Sequence, residues 1–508
     1  MGRKFLVPIV FIMLLILGLL SACTGEESTK TGASKKEAGT DKNTHVMKIE
    51  VVGSGGGATP PDAASDFIKA GIDEALNTDI NLNLFGSFDD YKSQLNIRMA
   101  GGDYPDLMQL DRTLLKEYAK KGLLLDLTPY LEELKPTIDF VGEDSILKAT
   151  VDEGLYAIAK APQIPYSTYW VRQDWLDALN MEVPATLDEL FELAKAFTKK
   201  DPDGNGKADT YGFTGNGIST FEPIFGAYGM GSPGSFYIED EKLMNSYFAP
   251  RMKEALSLIN EMIEAGVVEP EIITNTGLQH QQKAFQGQAG IIYIDWPNMT
   301  KPEFVEQMYA VNSDAKWVQV KAFNGPGGEF TGSWDIGATP GMYGVPKALE
   351  KDPEKLKRII ELFNYVSHDE GANLVQYGIE GEHFNMEDGK PVLTELGTQE
   401  LGYVWLYQFT GRPEIEYLEG RFKYAIDEMG FAANQPRIET LNGFINIPDS
   451  YNPGDADRYT EEETVKFLYG NRSLDEYDDF LETLNTTFNY ETYTNSAEEQ
   501  LKALGLVK

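Results

Sequence analysis

The sequence predicts an α/β protein in which helices cover mostly parallel sheets. Strand-like and helix-like segments alternate along the chain from residue 46 onward, the pattern of parallel strands joined by crossover helices. Their lengths match those of strands and helices in such folds. The chain has 508 residues, more than one domain normally holds, so we expect two or three domains.

The first predicted elements precede residue 123. Polar and apolar residues alternate at Lys48–Val52, which predicts a strand, and the glycine-rich residues 53–57 predict a loop. This loop lacks both GxGxxG and a terminal Gly-Lys-Ser/Thr, so we expect no nucleotide there. The next elements are predicted as helix Ala63–Leu76, strand Ile80–Phe85, helix Tyr91–Met99, strand Leu107–Leu110 and helix Leu114–Lys121, which stops at Gly122.

The central part of the chain continues this alternation. Thr186 and Glu189 form a capping-box pattern before an amphipathic helix at Leu187–Thr198. Further predicted elements are helix Met252–Gly266, strand Ile291–Ile294 and helix Pro353–Val366, which Asp352 caps. Beyond about Gly381 the pattern changes to loops and acidic helices rich in tyrosine.

The amino terminus has the layout of a secretory signal. Arg3 and Lys4 precede an apolar run that ends in Leu20-Ser21-Ala22-Cys23, and Cys23 is the only cysteine in the chain. The pattern resembles the bacterial lipobox, which predicts a signal peptide at 1–22, lipidation of Cys23 and a flexible tether at 23–45. The alternative is an uncleaved anchor helix. We expect a protein on the extracellular face of the cell membrane, held only by its lipid.

The charge balance restricts the possible partners. The formal net charge of −36 argues against nucleic-acid binding, because phosphate recognition needs clustered Lys and Arg. It weakens, without excluding, an anionic ligand, since one local basic pocket could overcome the general field. The four histidines lie in no HExxH or Ser/His/Asp-like context, and there is no GxSxG. We therefore expect a binding protein and not an enzyme.

Several segments in a fixed order carry a resemblance to a known family. They are Gly101–Leu107 with Asp111, Gly122–Leu127, Leu155–Ile158, Pro165–Arg172, Asp174–Leu176, Pro184–Leu190, Gly344–Lys347 and Tyr377–His383. Together they resemble the extracellular solute-binding proteins of carbohydrate ABC importers, and the last two look like the large lipoprotein branch, to which alginate-oligosaccharide binders are similar. The family usually has Trp where Leu187 stands.

The resemblance implies a two-lobe periplasmic-binding-protein-like fold of type II, with the ligand cleft between the lobes. Parallel sheets suit this role because they place ligands beyond the carboxyl ends of their strands. The expected boundaries are 46–163 and 321–382 for the N-lobe, with 164–320 and 383–508 for the C-lobe.

An aspartate-rich loop predicts one structural calcium site. Asp201, Asp203, Asn205 and Asp209 place side-chain oxygens at positions 1, 3, 5 and 9, and Lys207 offers its carbonyl at position 7. Gly212 stands where an EF-hand has its bidentate glutamate. The resemblance to the alginate-binder branch implies a further ligand at Thr210. The alternative is a solvated turn next to the preceding helix.

Aromatic residues are the candidate surfaces for sugar rings. Trp296 ends an apolar strand, where the resemblance implies a stacking aromatic, and the alternative is a place in the core. The same two readings remain open for Trp334, Trp170 and Trp405 with Tyr407. Trp175 and Trp317 are predicted to pack in the interior.

Charged residues are the candidate partners of sugar hydroxyls. The resemblance implies this role for Asp111 and Arg112, although Asp111 could simply cap the next helix. Asp335 and Arg172 are further candidates, and Arg172 could instead bridge the domains. Arg412 would suit a uronate, because guanidinium pairs bidentately with carboxylate.

Together these features predict a monomeric substrate-binding lipoprotein of an ABC importer. It would capture an oligosaccharide by lobe closure and deliver it to the transmembrane subunits of a permease. The alternatives are a surface lipoprotein that binds peptides or polysaccharide for adhesion or sensing, and a tethered glycan-active enzyme.

Overall fold

A computed structural model describes residues 46–448 and 450–508. The predicted signal peptide at 1–22, lipidated Cys23 and the tether at 23–45 lie outside the described residues. Among the helices that the structure describes, none is both long and apolar enough to cross a membrane.

The described residues form strands and helices in alternation through the first 300 positions and mostly helices near the carboxyl end. The strands are β1 (Met47–Ser54), β2 (Thr78–Phe85), β3 (Leu107–Leu110), β4 (Thr150–Val151), β5 (Gly154–Leu155), β6 (Ile158–Ala159), β7 (Ser167–Arg172), β8 (Tyr211–Thr214), β9 (Phe236–Glu239), β10 (Lys242–Asn245), β11 (Ala289–Asp295), β12 (Trp317–Gln319), β13 (Phe323–Gly325), β14 (Gly328–Phe330), β15 (Ser333–Asp335), β16 (Met342–Gly344), β17 (Phe384–Glu387), β18 (Lys390–Leu393) and β19 (Ile438–Thr440).

The α-helices cover the sheets and build the carboxyl-terminal part. They are α1 (Phe67–Leu76), α2 (Phe88–Gly101), α3 (Arg112–Lys120), α4 (Lys135–Val141), α5 (Glu143–Lys148), α6 (Gln173–Leu179), α7 (Leu187–Lys199), α8 (Glu222–Ala227), α9 (Met252–Glu264), α10 (Gln279–Phe285), α11 (Pro297–Thr300), α12 (Pro302–Val311), α13 (Pro353–Ser367), α14 (Asp369–Tyr377), α15 (Glu395–Glu400), α16 (Glu414–Arg421), α17 (Ile426–Ala433), α18 (Pro453–Leu468), α19 (Tyr477–Thr486) and α20 (Tyr490–Ala503). A 3₁₀-helix at Leu401–Tyr407 matters for the site below.

Two main sheets define the architecture. The first has the strand order β2-β1-β3-β16-β6, and the second has the order β12-β7-β11-β8. A third sheet has the order β10-β9-β19-β15, and Tyr237 of β9 belongs to the same hydrophobic core as the second sheet. Each main sheet has its own hydrophobic core, the first around Val51 and Ile359 and the second around Val171 and Ile291. The predicted two-lobe α/β fold is confirmed.

The sheets are more mixed than the sequence predicts. β1 runs parallel to β2 and β3, but β16 runs antiparallel to β3 and β6. In the second sheet β11 is parallel to β8 and antiparallel to β7. Because β7 and β16 each follow a segment that connects the two sheets, they lack the local crossover helix that makes neighbouring strands parallel.

Side-chain caps set several helix boundaries. Thr186 and Glu189 form the predicted capping box of α7, and Asp352 caps α13. Helix α1 begins at Phe67, four residues later than predicted, because the Asp66 carboxylate accepts a hydrogen bond from the Lys69 amide at 3.0 Å. A cap fixes a helix start more firmly than apolar spacing does.

Candidate functional site

Three adjoining depressions form one groove at the edge of the first sheet, which we call the cleft. Their volumes are about 290, 410 and 210 Å³. Pro340 lines all three, while Gln109 and Gln163 each line two of them. The cleft therefore continues from one depression to the next along the same wall of the protein.

The ends of three strands of the first sheet form the floor of the cleft. Parallel strands β1 and β3 end at Ser54 and Leu110, and antiparallel β16 begins beside them, with Met342 paired to Leu110. Gln109 faces this edge, where its Oε1 accepts a hydrogen bond from the Ser54 amide at 2.8 Å. Gly53 permits this contact, since a Cβ there would lie 2.8 Å from the Gln109 Oε1. The edge is where open α/β sheets bind ligands.

Trp405 is the aromatic surface of the first depression. It lies on the 3₁₀-helix Leu401–Tyr407, and 38% of its surface is exposed. Tyr403 and Tyr407 point into the protein, where their hydroxyls donate to buried Asp66 at 3.1 and 2.5 Å. A 3₁₀-helix has three residues per turn, so residues 403, 405 and 407 point to three different sides. Trp405 therefore lies on the side that Tyr403 and Tyr407 leave open. Asp66 thus holds the helix that presents Trp405.

Trp334 and Asp335 line another depression of the cleft. Both residues lie on β15, which pairs with β19. The Asp335 carboxylate accepts hydrogen bonds from the amides of Gly337 and Gly443, at 2.9 and 2.8 Å. Burial raises the pKa of Asp335, and these two amides oppose the rise. Trp334 is half-buried and offers a second aromatic surface.

Asp111 and Arg112 meet in the depression at the end of β3. Asp111 caps α3 by accepting from the Leu114 amide at 2.7 Å, and its other oxygen lies 3.8 Å from Lys92. The helix-cap alternative is therefore confirmed, while the position at the cleft leaves a ligand role open as a proposal. Arg112 donates to the carbonyls of Lys148 and Thr150, and burial lowers its pKa to about 10.

Arg412 lines the first depression together with its partner Glu414. The two side chains form a bidentate pair with distances of 2.6 and 2.9 Å. The guanidinium also lies over the Tyr417 ring, 4.0 Å from its centroid. Its charge is thus already matched in the free protein.

Four predicted ligand residues lie in the interior and are removed from the candidate site. Trp296 is fully buried, with ring centroids 5.3 Å from Phe422 and 5.9 Å from Tyr166. The others are Trp170 (3% exposed, on β7), Tyr407 (1% exposed, bound to Asp66) and Arg172 (1% exposed, paired with Asp174 at 2.5 Å and covered by Trp175 and Trp317). In each case apolar packing or an internal partner uses the surface that a sugar would need.

Several cleft residues were not predicted from the sequence. Lys160 follows the two-residue strand β6, and Lys148 ends the short helix α5. Both line the cleft, as do Gln109 and Gln163. The available signal was the pair Lys160 and Gln163 just after the strand at 158–159, since residues that follow strand ends lie where such sheets bind ligands.

The aspartate-rich loop is exposed and tightly turned. Asp201 accepts hydrogen bonds from the amides of Asn205 and Gly206, at 3.0 and 2.9 Å. The side-chain amide nitrogen of Asn205 donates to the Asp203 carboxylate at 2.7 Å and to the Asp209 carboxylate at 3.2 Å. Among the described residues, no group of three or more His, Cys, Asp or Glu side chains is arranged to hold a metal ion.

Thr210 and Lys207 differ in their fit to a cation. The Thr210 hydroxyl is buried and donates to the Phe197 carbonyl at 2.7 Å, so it faces helix α7 and leaves the candidate ligand set. Lys207 is exposed, and its carbonyl is not engaged by a described hydrogen bond. The remaining donors, three carboxylates and one amide, are the oxygen types that calcium prefers.

The cleft can bind and orient a polar molecule with an apolar face. Trp405 and Trp334 offer flat aromatic surfaces, while amides, lysines and carboxylates beside them offer hydrogen bonds. A pyranose ring has that combination of a C–H face and rim hydroxyls.

Comparison with known proteins identifies the family. Residues 54–372 match the model of the bacterial extracellular solute-binding protein family, and the chain belongs to that family. It is similar to the polygalacturonan/rhamnogalacturonan-binding protein YtcQ of Bacillus subtilis (strain 168), with 27% identity over 399 residues, 77% of this chain and 76% of that one. It is also similar to the lipoprotein LipO of the same strain, with 25% identity over 384 residues, 73% of this chain and 74% of the other.

A solved structure supports the same fold. The alginate-binding protein AlgQ2, in a crystal structure without calcium ion, superimposes with a TM-score of 0.65. The identity is 17%, and the match covers 92% of this chain and 100% of that chain. The match to the family model at residues 54–372 confirms the predicted family, and this structure supports its fold.

Proposed function

We propose that this protein captures an oligosaccharide in the cleft and delivers it to the permease of an ABC importer. The observation that carries the proposal is the exposed face of Trp405 beside polar cleft residues, at the strand edge where this fold binds ligands. The relative named as a polygalacturonan/rhamnogalacturonan-binding protein supports a carbohydrate ligand.

Capture requires no covalent step. The sugar ring stacks on Trp405, and side chains such as Gln109 bind its hydroxyls. We infer that the segments connecting the sheets, at about 160–166, 336–341 and 409–416, act as hinges for lobe closure. These segments also line the cleft, so a bound ligand contacts the parts that would move. We expect the bound sugar to be recovered unchanged.

The experiment that tests this function is a thermal-shift screen of the purified protein against oligosaccharides and, for comparison, small peptides. A ligand that binds only the native state raises the melting temperature by mass action. We expect shifts with oligosaccharides alone. Shifts with peptides alone would contradict the proposal, and chromatography that shows cleavage of a bound glycan would indicate an enzyme.

We further propose that Cys23 carries a lipid that holds the protein at the outer face of the membrane. The similarity to LipO supports this anchor. Replacing Cys23 by serine removes the thiol that would accept the lipid, so we expect the protein to move from the membrane fraction into the medium. Cell fractionation with immunoblotting measures this change, and Ser21→Ala is the matched control. An unchanged membrane fraction for C23S would contradict the anchor.

We propose one structural calcium ion, held by Asp201, Asp203, Asn205 and Asp209 with the Lys207 carbonyl. The donor types of the loop support it, as does the link between AlgQ2 and calcium. When bound, the ion would neutralise the crowded carboxylates and fix the loop after α7.

Calcium is expected to raise the melting temperature by several degrees, and Asp203→Ala is expected to abolish that shift. Affinity for the oligosaccharide should stay within twofold, because the loop does not line the cleft. Thermal denaturation with calcium or EDTA measures the first effect, and calorimetric titration measures the second. Asp314→Ala, at another exposed position, controls for loss of any surface aspartate. A normal calcium shift in D203A would disprove the site.

A further inference from the structure

Trp334 and Asp335 reach the cleft from a short strand at the edge of the third sheet. This strand, β15, has 3 residues and comes last in the order β10-β9-β19-β15. It therefore pairs with β19 on one side only, and the proposed hinge at about 336–341 follows it directly. A short edge strand beside a moving segment needs further contacts to keep one position.

The Glu222 carboxyl supplies such a contact on the open side of β15. Its Oε2 accepts hydrogen bonds from the amide and the hydroxyl of Ser333, each at 3.3 Å, and its Oε1 accepts from the Ser232 hydroxyl. The Gly332 carbonyl and the Ile336 amide instead bond to the backbone of β19. Backbone groups alternate in direction along a strand, so the Ser333 amide points away from β19. Glu222 thus provides the acceptor that a neighbouring strand would otherwise provide.

Two glycines allow Glu222 to approach this strand. A Cβ at Gly332 would lie 3.0 Å from the Glu222 Oε2, and φ at Gly332 is +123°. A Cβ at Gly226, on the helix α8 that Glu222 begins, would lie 2.3 Å from the Gly332 nitrogen. The contact between Glu222 and β15 therefore depends on close packing of α8 against the backbone that leads into the strand.

A second carboxylate holds the other end of β15, because Asp335 accepts hydrogen bonds from two backbone amides. Trp334 lies between these two anchors. We propose that Glu222 is a positioning residue of the ligand site, which acts through Ser333 to fix β15 and so keeps Trp334 at the cleft. This inference rests on the proposed oligosaccharide-binding function, in which Trp334 is one of the two aromatic surfaces.

The surroundings of Glu222 favour its neutral form. Burial raises the pKa of Glu222 to about 7, although the hydrogen bonds from Ser333 and the charge of Arg437 oppose the rise. The Arg437 guanidinium donates to three backbone carbonyls. Among the described residues, the other titratable groups that face Glu222 are Tyr169 of β7 and Tyr293 of β11, and burial raises the pKa of both hydroxyls.

The strength of the anchor is therefore expected to depend on pH. When protonated, Glu222 donates to the Ser232 hydroxyl through one oxygen and accepts from Ser333 through the other, so each group is paired. When ionised, it carries a charge that burial disfavours, and moving toward water becomes favourable. Because the pKa in the folded protein is raised above its usual value, the stabilisation by Glu222 is lost as the pH rises through about 7.

Fluorine NMR of the protein labelled with 5-fluorotryptophan tests this anchor without any sugar. Trp334→Phe assigns the Trp334 resonance, and the buried Trp175 serves as the internal reference. We expect the Trp334 resonance to shift as the pH is raised, with a midpoint of about 7. Glu222→Gln should abolish the shift, because glutamine does not ionise. A Trp334 resonance that does not titrate, or that titrates equally in E222Q, would overturn the inference.

Further variants separate positioning from general stability. Glu222→Ala removes both acceptors, so the Trp334 resonance should be displaced at every pH, and E222Q should restore its position below the midpoint. Glutamine can do so because it keeps one acceptor for Ser333 and one donor for Ser232. Glu306→Ala, at an exposed position on α12, is the control and should leave the resonance unchanged. A lower melting temperature in E222A with an unchanged Trp334 resonance would contradict the positioning role.

Thermal denaturation on both sides of the midpoint completes the test. The melting temperature of the unaltered protein should fall more steeply with rising pH than that of E222Q, and equal slopes would contradict the predicted proton linkage of Glu222. All of these measurements use the protein without sugar. Failure of every oligosaccharide in the thermal-shift screen would overturn the proposed function, whereas an unresponsive Trp334 resonance would overturn the positioning role alone.

Discussion

Replacing Trp405 by alanine is expected to weaken oligosaccharide binding roughly thirtyfold without changing the stability of the protein. The ring leaves 38% of its surface exposed in the cleft, and a sugar ring would cover that area. At about 25 cal/mol per Å² the loss amounts to about 2 kcal/mol. The stability should hold because the rest of the ring packs at the surface of its helix, not in the core.

Calorimetric titration measures the affinity, and urea denaturation measures the free energy of unfolding. Tyr309→Ala is the matched control, since Tyr309 is 49% exposed on α12 and lies outside the cleft. Trp405→Phe should restore part of the affinity by keeping an aromatic face. Normal binding by W405A would show that the sugar lies elsewhere.

Replacing Asp66 by alanine is expected to destabilise the protein by about 4 kcal/mol. The carboxylate is 2% exposed and accepts three hydrogen bonds, from the Lys69 amide and from the hydroxyls of Tyr403 and Tyr407. Its loss removes the cap of α1, which contributes about 1 kcal/mol. It also leaves two buried hydroxyl donors without an acceptor, at about 1–3 kcal/mol each. Urea denaturation measures the total.

The same variant tests whether Asp66 positions Trp405. We expect D66A to bind the oligosaccharide more weakly at temperatures where it is still folded, because the 3₁₀-helix loses its anchor. The double variant Tyr403→Phe with Tyr407→Phe keeps the helix cap and should share the loss of affinity with a smaller loss of stability. Asp62→Ala, at an exposed position just upstream, should have neither effect. A D66A protein as stable as D62A would refute this account of the contact.

The helix and strand boundaries that were predicted correctly depend on residues close together in the sequence. The capping box at Thr186 and the Asp352 cap with Pro353 are signals within four residues, and both helices begin where expected. β3 matches its predicted bounds at Leu107–Leu110, because an apolar run and the following Asp111 define both ends. The family and the two-lobe fold were predicted in a different way, from the resemblance that short segments in a fixed order carry.

Long-range packing explains what the sequence could not show. Trp296 ends a strand as a cleft residue would, but Tyr166 and Phe422 arrive from distant parts of the chain and bury it. Lys148 and Lys160 can be recognised as cleft residues only in the structure, where a hydrogen bond joins α5 to the residue that follows β6.

A crystal structure of the protein with a bound oligosaccharide tests the central claim most directly. We expect electron density for the sugar in the cleft, with one ring stacked on Trp405 and others extending past Pro340 toward Lys148 and Trp334. Sugar bound outside this cleft, with Trp405 free, would contradict it.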